Sequence, residues 1–135
     1  MAKNMLIIED DGVSRDLLRL VFEYDGFTCT EAENGAMGLT MVDSQPFDII
    51  ILDNVMPVMT GLEFLKELQR QLNTPNAPVI MITGLLNTDI REKATTLGAY
   101  TIVGKPYDLG ELRALVAQLC MVQTLSLKGK SLLPK

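Results

Sequence analysis

Met5-Leu6-Ile7-Ile8-Glu9-Asp10-Asp11-Gly12 is a four-residue apolar run that ends in three acids and a glycine. A run this short and apolar at every position suits a strand covered on both faces, not one with a wet side. Two runs of the same kind follow: Phe47–Leu52, which leads into Asp53, and Pro78–Thr83. Around them lie stretches of helical period. Val13, Leu17, Leu20, Val21 and Tyr24 fall on one face of a first helix that Gly26 stops. Phe27–Glu31 reads as a half-exposed strand before the turn Glu33-Asn34-Gly35, and Ala36–Val42 as a helix weakened by Gly38 and Thr40. Leu62, Leu65, Leu68 and Leu72 space a third helix that ends at Asn73-Thr74-Pro75-Asn76. Ile90, Ala94 and Leu97 mark a fourth, closed by Gly98, and Tyr100–Val103 is a fifth short strand. Asp108 with Glu111 is a capping-box pair opening the last helix, whose apolar face is Leu112, Leu115, Val116 and Leu119.

Five strands alternating with five helices predict an α/β fold, a doubly wound parallel sheet with helices on both faces. One domain spans residues 3–122. From 123 to 135 the pattern fades, and this stretch reads as a C-terminal tail or the stump of a linker.

Composition narrows the function. The chain has 135 residues, 47% apolar and 21% charged, the balance of a single globular domain. Its net charge of −5 argues against direct nucleic-acid binding and against an anionic membrane surface. No apolar run approaches a membrane span or a signal-peptide core, and Cys29 and Cys120 have no metal spacing. A cytoplasmic location is therefore expected. There is no histidine, which removes a Ser-His triad and a histidine general base. Met41, Met56, Met59 and Met81 are read as packing, because thioethers suit soft copper(I) and not an oxygen site.

The polar residues gather at strand ends. Glu9 and Asp10 follow the first strand, Asp53 the third, Thr83 closes the fourth and Lys105 follows the fifth. In open parallel sheets the carboxyl edge is where ligands bind. The second strand contributes nothing comparable. Three packed carboxylates repel unless a cation sits among them, and a hard divalent ion such as Mg²⁺ suits such oxygen ligands. An aspartate can also attack phosphorus to give an aspartyl-phosphate, a reaction that needs positioning and charge neutralisation and no histidine in this chain.

These residues together resemble the receiver domains of two-component response regulators. The resemblance rests on Met5–Asp11, on Asp53-Asn54-Val55-Met56-Pro57 with Gly61, on Ile82-Thr83-Gly84, and on Gly98-Ala99 with Lys105-Pro106. It runs from about Lys3 to Val122. It implies a flavodoxin-like sheet in the order 2-1-3-4-5. It further implies that Asp53 accepts a phosphoryl group from a sensor histidine kinase or a histidine phosphotransfer protein. Glu9, Asp10, Asp53 and the Val55 backbone carbonyl would hold Mg²⁺, and Thr83 and Lys105 would bind the phosphoryl oxygens. The bond before Pro106 is often cis in the family. Phosphorylation would shift the face of helix 4, strand 5 and helix 5, here Asn87–Leu97, Tyr100–Val103 and Asp108–Val122, toward a downstream output protein or a C-terminal output domain not in this chain. Such a protein is a phosphoacceptor that assists its own phosphorylation and dephosphorylation, not an enzyme in the usual sense.

The chain departs from the family at Ile102, three positions before Lys105, where many members carry a Tyr or Phe that swings with the threonine. Tyr100 points to the same face of the strand two residues earlier. Val55 and Leu85, two positions beyond Asp53 and Thr83, are apolar and are expected to shield an acyl phosphate from water. Three rival readings share the fold. An aspartate-nucleophile phosphohydrolase wants an acid where Val55 stands. A flavodoxin-like nucleotide binder wants a glycine- or hydroxyl-rich loop where Glu9-Asp10-Asp11 stands. A phosphorylation-independent interaction module would not need the acidic set or Lys105.

Overall fold

A computed structural model describes residues 3–71 and 77–129, the last eight of these as backbone only. Strands and helices alternate: β1 (Asn4–Ile8), α1 (Gly12–Tyr24), β2 (Thr28–Ala32), α2 (Gly35–Ser44), β3 (Ile49–Asp53), α3 (Gly61–Arg70), β4 (Val79–Thr83), α4 (Thr88–Thr96), β5 (Thr101–Gly104) and α5 (Leu109–Gly129). The five strands are parallel, in the order β2-β1-β3-β4-β5. This is the doubly wound sheet the apolar runs call for, with the chain reversing direction across the sheet at β1.

Each central strand feeds two cores. Leu6, Ile8, Ile50, Leu52 and Met81 face the layer of α2, α3 and α4, where Phe64 and Leu65 meet them. Met5, Ile7, Ile49, Ile51, Ile80 and Ile82 face α1 and α5 and pack on Leu18, Phe22, Leu112 and Val116. Side chains alternate across a strand, so only an unbroken apolar run can serve both layers. Met41, Met56, Met59 and Met81 all join the first core or its edge. Cys29 is half-buried, with burial pushing its thiol up to about 11, and Cys120 is buried, its thiol likewise raised by burial.

Three expectations are corrected. Strand bounds move by one or two residues, because parallel pairing sets them: β1 begins one residue early at Asn4, β4 begins one late at Val79, and β2, β3 and β5 each end one residue later than periodicity places them. Ile8 pairs with Ala32, Asp53 with Ile82 and Thr83 with Gly104. α1 buries Leu18 and Phe22, whereas Val13, Leu17, Leu20 and Tyr24 lie outside. Apolar residues cover more than half of the helix's circumference, wider than one packed face, and the sheet takes the side with the phenylalanine, whose ring meets Phe27 edge-on at 5.9 Å. The last helix continues as backbone to Gly129, past the boundary drawn at Val122. Leu72 and Asn73-Thr74-Pro75-Asn76 lie outside the described residues.

Gly38 has a use beyond lowering helix propensity. A Cβ there would stand 2.5 Å from Ile8 Cδ1 and 3.1 Å from Phe64, so the missing side chain lets α2 press on β1 and α3.

Candidate functional site

The carboxyl edge of the sheet brings Glu9, Asp10, Asp53, Thr83 and Lys105 to one place. Glu9 leaves β1 with its N–H donated to the Ala32 carbonyl at 3.0 Å, and Asp11 caps α1 by accepting the Ser14 N–H at 2.9 Å. Asp10 lies between them, exposed, while Glu9 and Asp53 are each only 4% exposed. Carboxylate oxygens of all three approach within 4.8 Å of one another. Lys105 follows β5, its N–H donated to the Thr83 carbonyl at 2.8 Å, and the Lys105–Pro106 bond is cis. The Lys105 ammonium stands 3.3 Å from Asp53 Oδ1 and 3.4 Å from Glu9 Oε1.

The electrostatics follow from burying these groups together. Burial and a hydrogen bond shared with Asp53 push Glu9 up to about 7. Burial works against the charge on Lys105, but the Asp53 and Glu9 carboxylates outweigh it and hold the ammonium above its usual range. Asp53 Oδ1 is buried without a hydrogen bond of ordinary geometry. A buried carboxylate oxygen in that condition, beside two further carboxylates, fits a divalent cation with hard oxygen ligands. The donor set contains no sulfur or imidazole, which suits Mg²⁺ over softer metals.

Thr83 is fully buried, and its Oγ1 accepts the Leu85 N–H at 3.0 Å. Its own hydroxyl proton stays available for donation. Val55 stands two residues beyond Asp53, half-exposed, and Leu85 is 58% exposed. Ile102 is 7% exposed and belongs to the core, whereas Tyr100 is 60% exposed and is no buried substitute for the family's ring. Beside them Leu86 lies over Gly104, where a Cβ would be 3.0 Å from Leu86 Cδ2.

The loop after Asp53 is held by a residue that lies in the quoted motif but to which motif reading gave no role. Asn54 is 6% exposed, donates its N–H to the Ile82 carbonyl at 3.1 Å, and accepts the Gly61 N–H at its carbonyl and the Leu62 N–H at its side chain. Its place beside the nucleophile candidate was the only sequence signal. The second strand also has a part in the site. Glu31 of β2 accepts from Arg15 Nε at 3.2 Å, while Arg15 Nη1 donates to the Glu9 carbonyl at 2.8 Å. Nothing in local spacing marks that contact, which joins α1 to two strands.

Among the described residues, no helix is long and apolar enough to cross a membrane. The model of the response regulator receiver domain matches residues 5–117. Sporulation initiation phosphotransferase F of Bacillus subtilis is 34% identical over 84% of this chain and 90% of its own length. The phosphate regulon transcriptional regulatory protein PhoB of Escherichia coli is 28% identical over 99% of this chain, which spans 62% of that longer protein. Among solved structures, the Francisella response regulator 1452 receiver domain superposes with a TM-score of 0.82 at 28% identity, covering 88% of this chain and 97% of that one. With the acidic edge, the threonine and the lysine all on one side of a 2-1-3-4-5 sheet, the chain belongs to the receiver domains of two-component response regulators.

Proposed function

We propose that this receiver domain is a Mg²⁺-dependent phosphorylation switch in which Asp53 is the phosphoacceptor. The observation that carries the reading is the buried Asp53 Oδ1, paired with the Lys105 ammonium at 3.3 Å but without a hydrogen bond of ordinary geometry, with Glu9 and Asp10 alongside. Glu9, Asp10, Asp53 and the Val55 carbonyl would hold the ion. When bound, Mg²⁺ neutralises charge on the phosphoryl oxygens and on the acids.

An Asp53 carboxylate oxygen attacks phosphorus, the P–N bond of a donor phosphohistidine breaks, and the departing imidazole nitrogen takes up a proton. The product is an aspartyl-phosphate. Asp53 needs no base, since it attacks as the anion. Lys105 turns its ammonium from the carboxylates toward the new phosphoryl charge, roughly −1.5 to −2. Thr83 donates its hydroxyl proton to a phosphoryl oxygen. That change pulls on the Thr83–Leu85 turn and, through the Asn87 cap, on α4. With Ile102 in the core, the output change travels through backbone and packing at Leu86 and Gly104, not through a swinging ring.

The donor is a sensor histidine kinase or a histidine phosphotransfer protein. Val13, Leu17, Leu20 and Tyr24 leave an exposed apolar stripe on α1, which begins beside the acids, and this stripe suits a helical partner carrying the histidine. Output passes to a downstream protein or to a C-terminal output domain. The test is intact mass after incubation with acetyl phosphate, with and without Mg²⁺, beside Asp53→Asn. One phosphoryl adduct that needs Mg²⁺ and is lost in the variant supports the reading. No adduct, together with no Mg²⁺ binding, overturns it.

A further inference from the structure

We propose that Arg15 is a positioning residue for the divalent-cation site, itself set in place by Glu31 of β2. The inference rests on the Mg²⁺ reading above and extends it to residues that touch neither ion nor phosphoryl group.

Arg15 lies in the first turns of α1 with its side chain 15% exposed. One arm of its guanidinium, Nη1, donates to the Glu9 carbonyl at 2.8 Å; Nε donates to Glu31 Oε1 at 3.2 Å. Glu31 is fixed from its other oxygen as well, since Oε2 lies 3.2 Å from Arg19 Nε. Glu33 adds only a longer contact, 3.9 Å from Arg15 Nη2. The peptide leaving Glu9 is thus held at both ends of that residue: its N–H by the Ala32 carbonyl at 3.0 Å and its C=O by Arg15.

That carbonyl belongs to the peptide bond joining Glu9 to Asp10. A peptide unit is planar, so fixing its oxygen fixes the direction in which the Asp10 Cα leaves. Asp10 is exposed. The direction of its backbone therefore sets where its carboxylate, which lies with those of Glu9 and Asp53, can reach. The planar fork of arginine can span a carbonyl and a carboxylate together, whereas a lysine ammonium on one stem cannot hold both acceptors in one geometry.

Charge and position make opposite predictions. A cation near a cation site repels the ion, so removing Arg15 tightens Mg²⁺ binding if its charge is what counts. If its hydrogen bond to Glu9 is what counts, removal weakens binding, by about tenfold on the scale seen when groups orienting metal ligands are removed.

The experiment is Mg²⁺ titration of the whole chain by calorimetry, with Arg15→Met, Arg15→Lys, Glu31→Gln and the Met/Gln double variant. Metal-free urea unfolding and amide exchange at Asp10 and Asp11 accompany it. We expect Arg15→Met to bind Mg²⁺ about tenfold more weakly. Arg15→Lys and Glu31→Gln should weaken binding less, and the double variant should bind no worse than Arg15→Met, because Glu31 acts through Arg15. Amide exchange at Asp10 and Asp11 should quicken without metal. Should Arg15→Met fail to fold, Arg15→Lys and Glu31→Gln decide. Variants binding Mg²⁺ as tightly as the parent, or more tightly, overturn the proposal. A parent chain that binds no Mg²⁺ overturns the reading of the site beneath it, a distinct result.

Discussion

Gly61 donates its N–H to the Asn54 carbonyl at 2.9 Å, and a Cβ on Gly61 would stand 2.7 Å from Asn54 Cα and 2.8 Å from the Asp53 carbonyl. The first turn of α3 is thereby pressed against the backbone that carries Asp53. Both obstructing atoms are main chain, so no side chain can swing aside.

Gly61→Ala accordingly sets an overpacking cost of about 1–3 kcal/mol against a helix-propensity gain of at most about 1 kcal/mol. The clash wins, and we expect a net loss of about 1–2 kcal/mol in urea unfolding. Phosphorylation by acetyl phosphate should slow as the Asp53 loop shifts. An unchanged midpoint would show that this close approach relaxes without cost.

Val58 has φ 70°, a left-handed conformation that is strained for a β-branched residue. It is the centre of a tight turn in which the Met59 N–H donates to the Pro57 carbonyl at 2.7 Å. Its side chain is 80% exposed, so replacing it sacrifices little packing. Glycine, with no Cβ, takes a positive φ freely, although it adds unfolded-state entropy. Relief of a strain of about 1–3 kcal/mol less an entropy cost of about 0.5–1 kcal/mol means that Val58→Gly should stabilise the protein by about 1 kcal/mol, raising Tm by roughly 3–5 °C for a chain of this size. Calorimetry checks it, and a lower Tm would contradict the strain argument.

Glu9 gives a pH dependence whose sign can be worked out. Its folded-state value of about 7 lies above its ordinary 4.5. Between those values the metal-free folded protein keeps a proton that the unfolded chain has released, so this group's contribution to stability falls as pH rises from about 4.5 to 7 and then levels. Glu9→Gln should abolish that slope and be relatively more stable at pH 8 than at pH 5, as read from urea midpoints without metal. Mg²⁺ affinity of the parent should rise over the same interval, because the ion requires the carboxylate.

Leu85 is half-exposed two residues beyond Thr83, and Val55 is its counterpart beyond Asp53. A carboxylate at 85 would bring ordered water to the acyl phosphate that we assign to Asp53. Leu85→Glu should therefore lose its phosphoryl group severalfold faster, followed by intact mass after removal of the donor. An unchanged rate would mean that these apolar groups do not shield the bond.

Much of this protein was legible along the chain. Unbroken runs such as Ile49–Leu52 announce strands covered on two faces, since any polar residue there would be buried in one core or the other. Glu9, Asp10, Asp53, Thr83 and Lys105 were legible as well, because a parallel sheet returns every strand in the same sense and so collects all their ends on one edge. The packing partner of each helix was not legible. In α1 both Val13–Tyr24 and Leu18–Phe22 satisfy helical spacing, and only the fit of Phe22 against the sheet chose between them. The contacts that hold the site were also decided in three dimensions. Arg15 meets Glu31 across sixteen residues, and Gly61 meets Asn54 across a loop, both through main-chain or fork geometry that no local period encodes. Sequence set which groups reach the edge, because hydrophobic patterning is local; tertiary packing set how they are aimed, because aim depends on atoms brought from elsewhere in the chain.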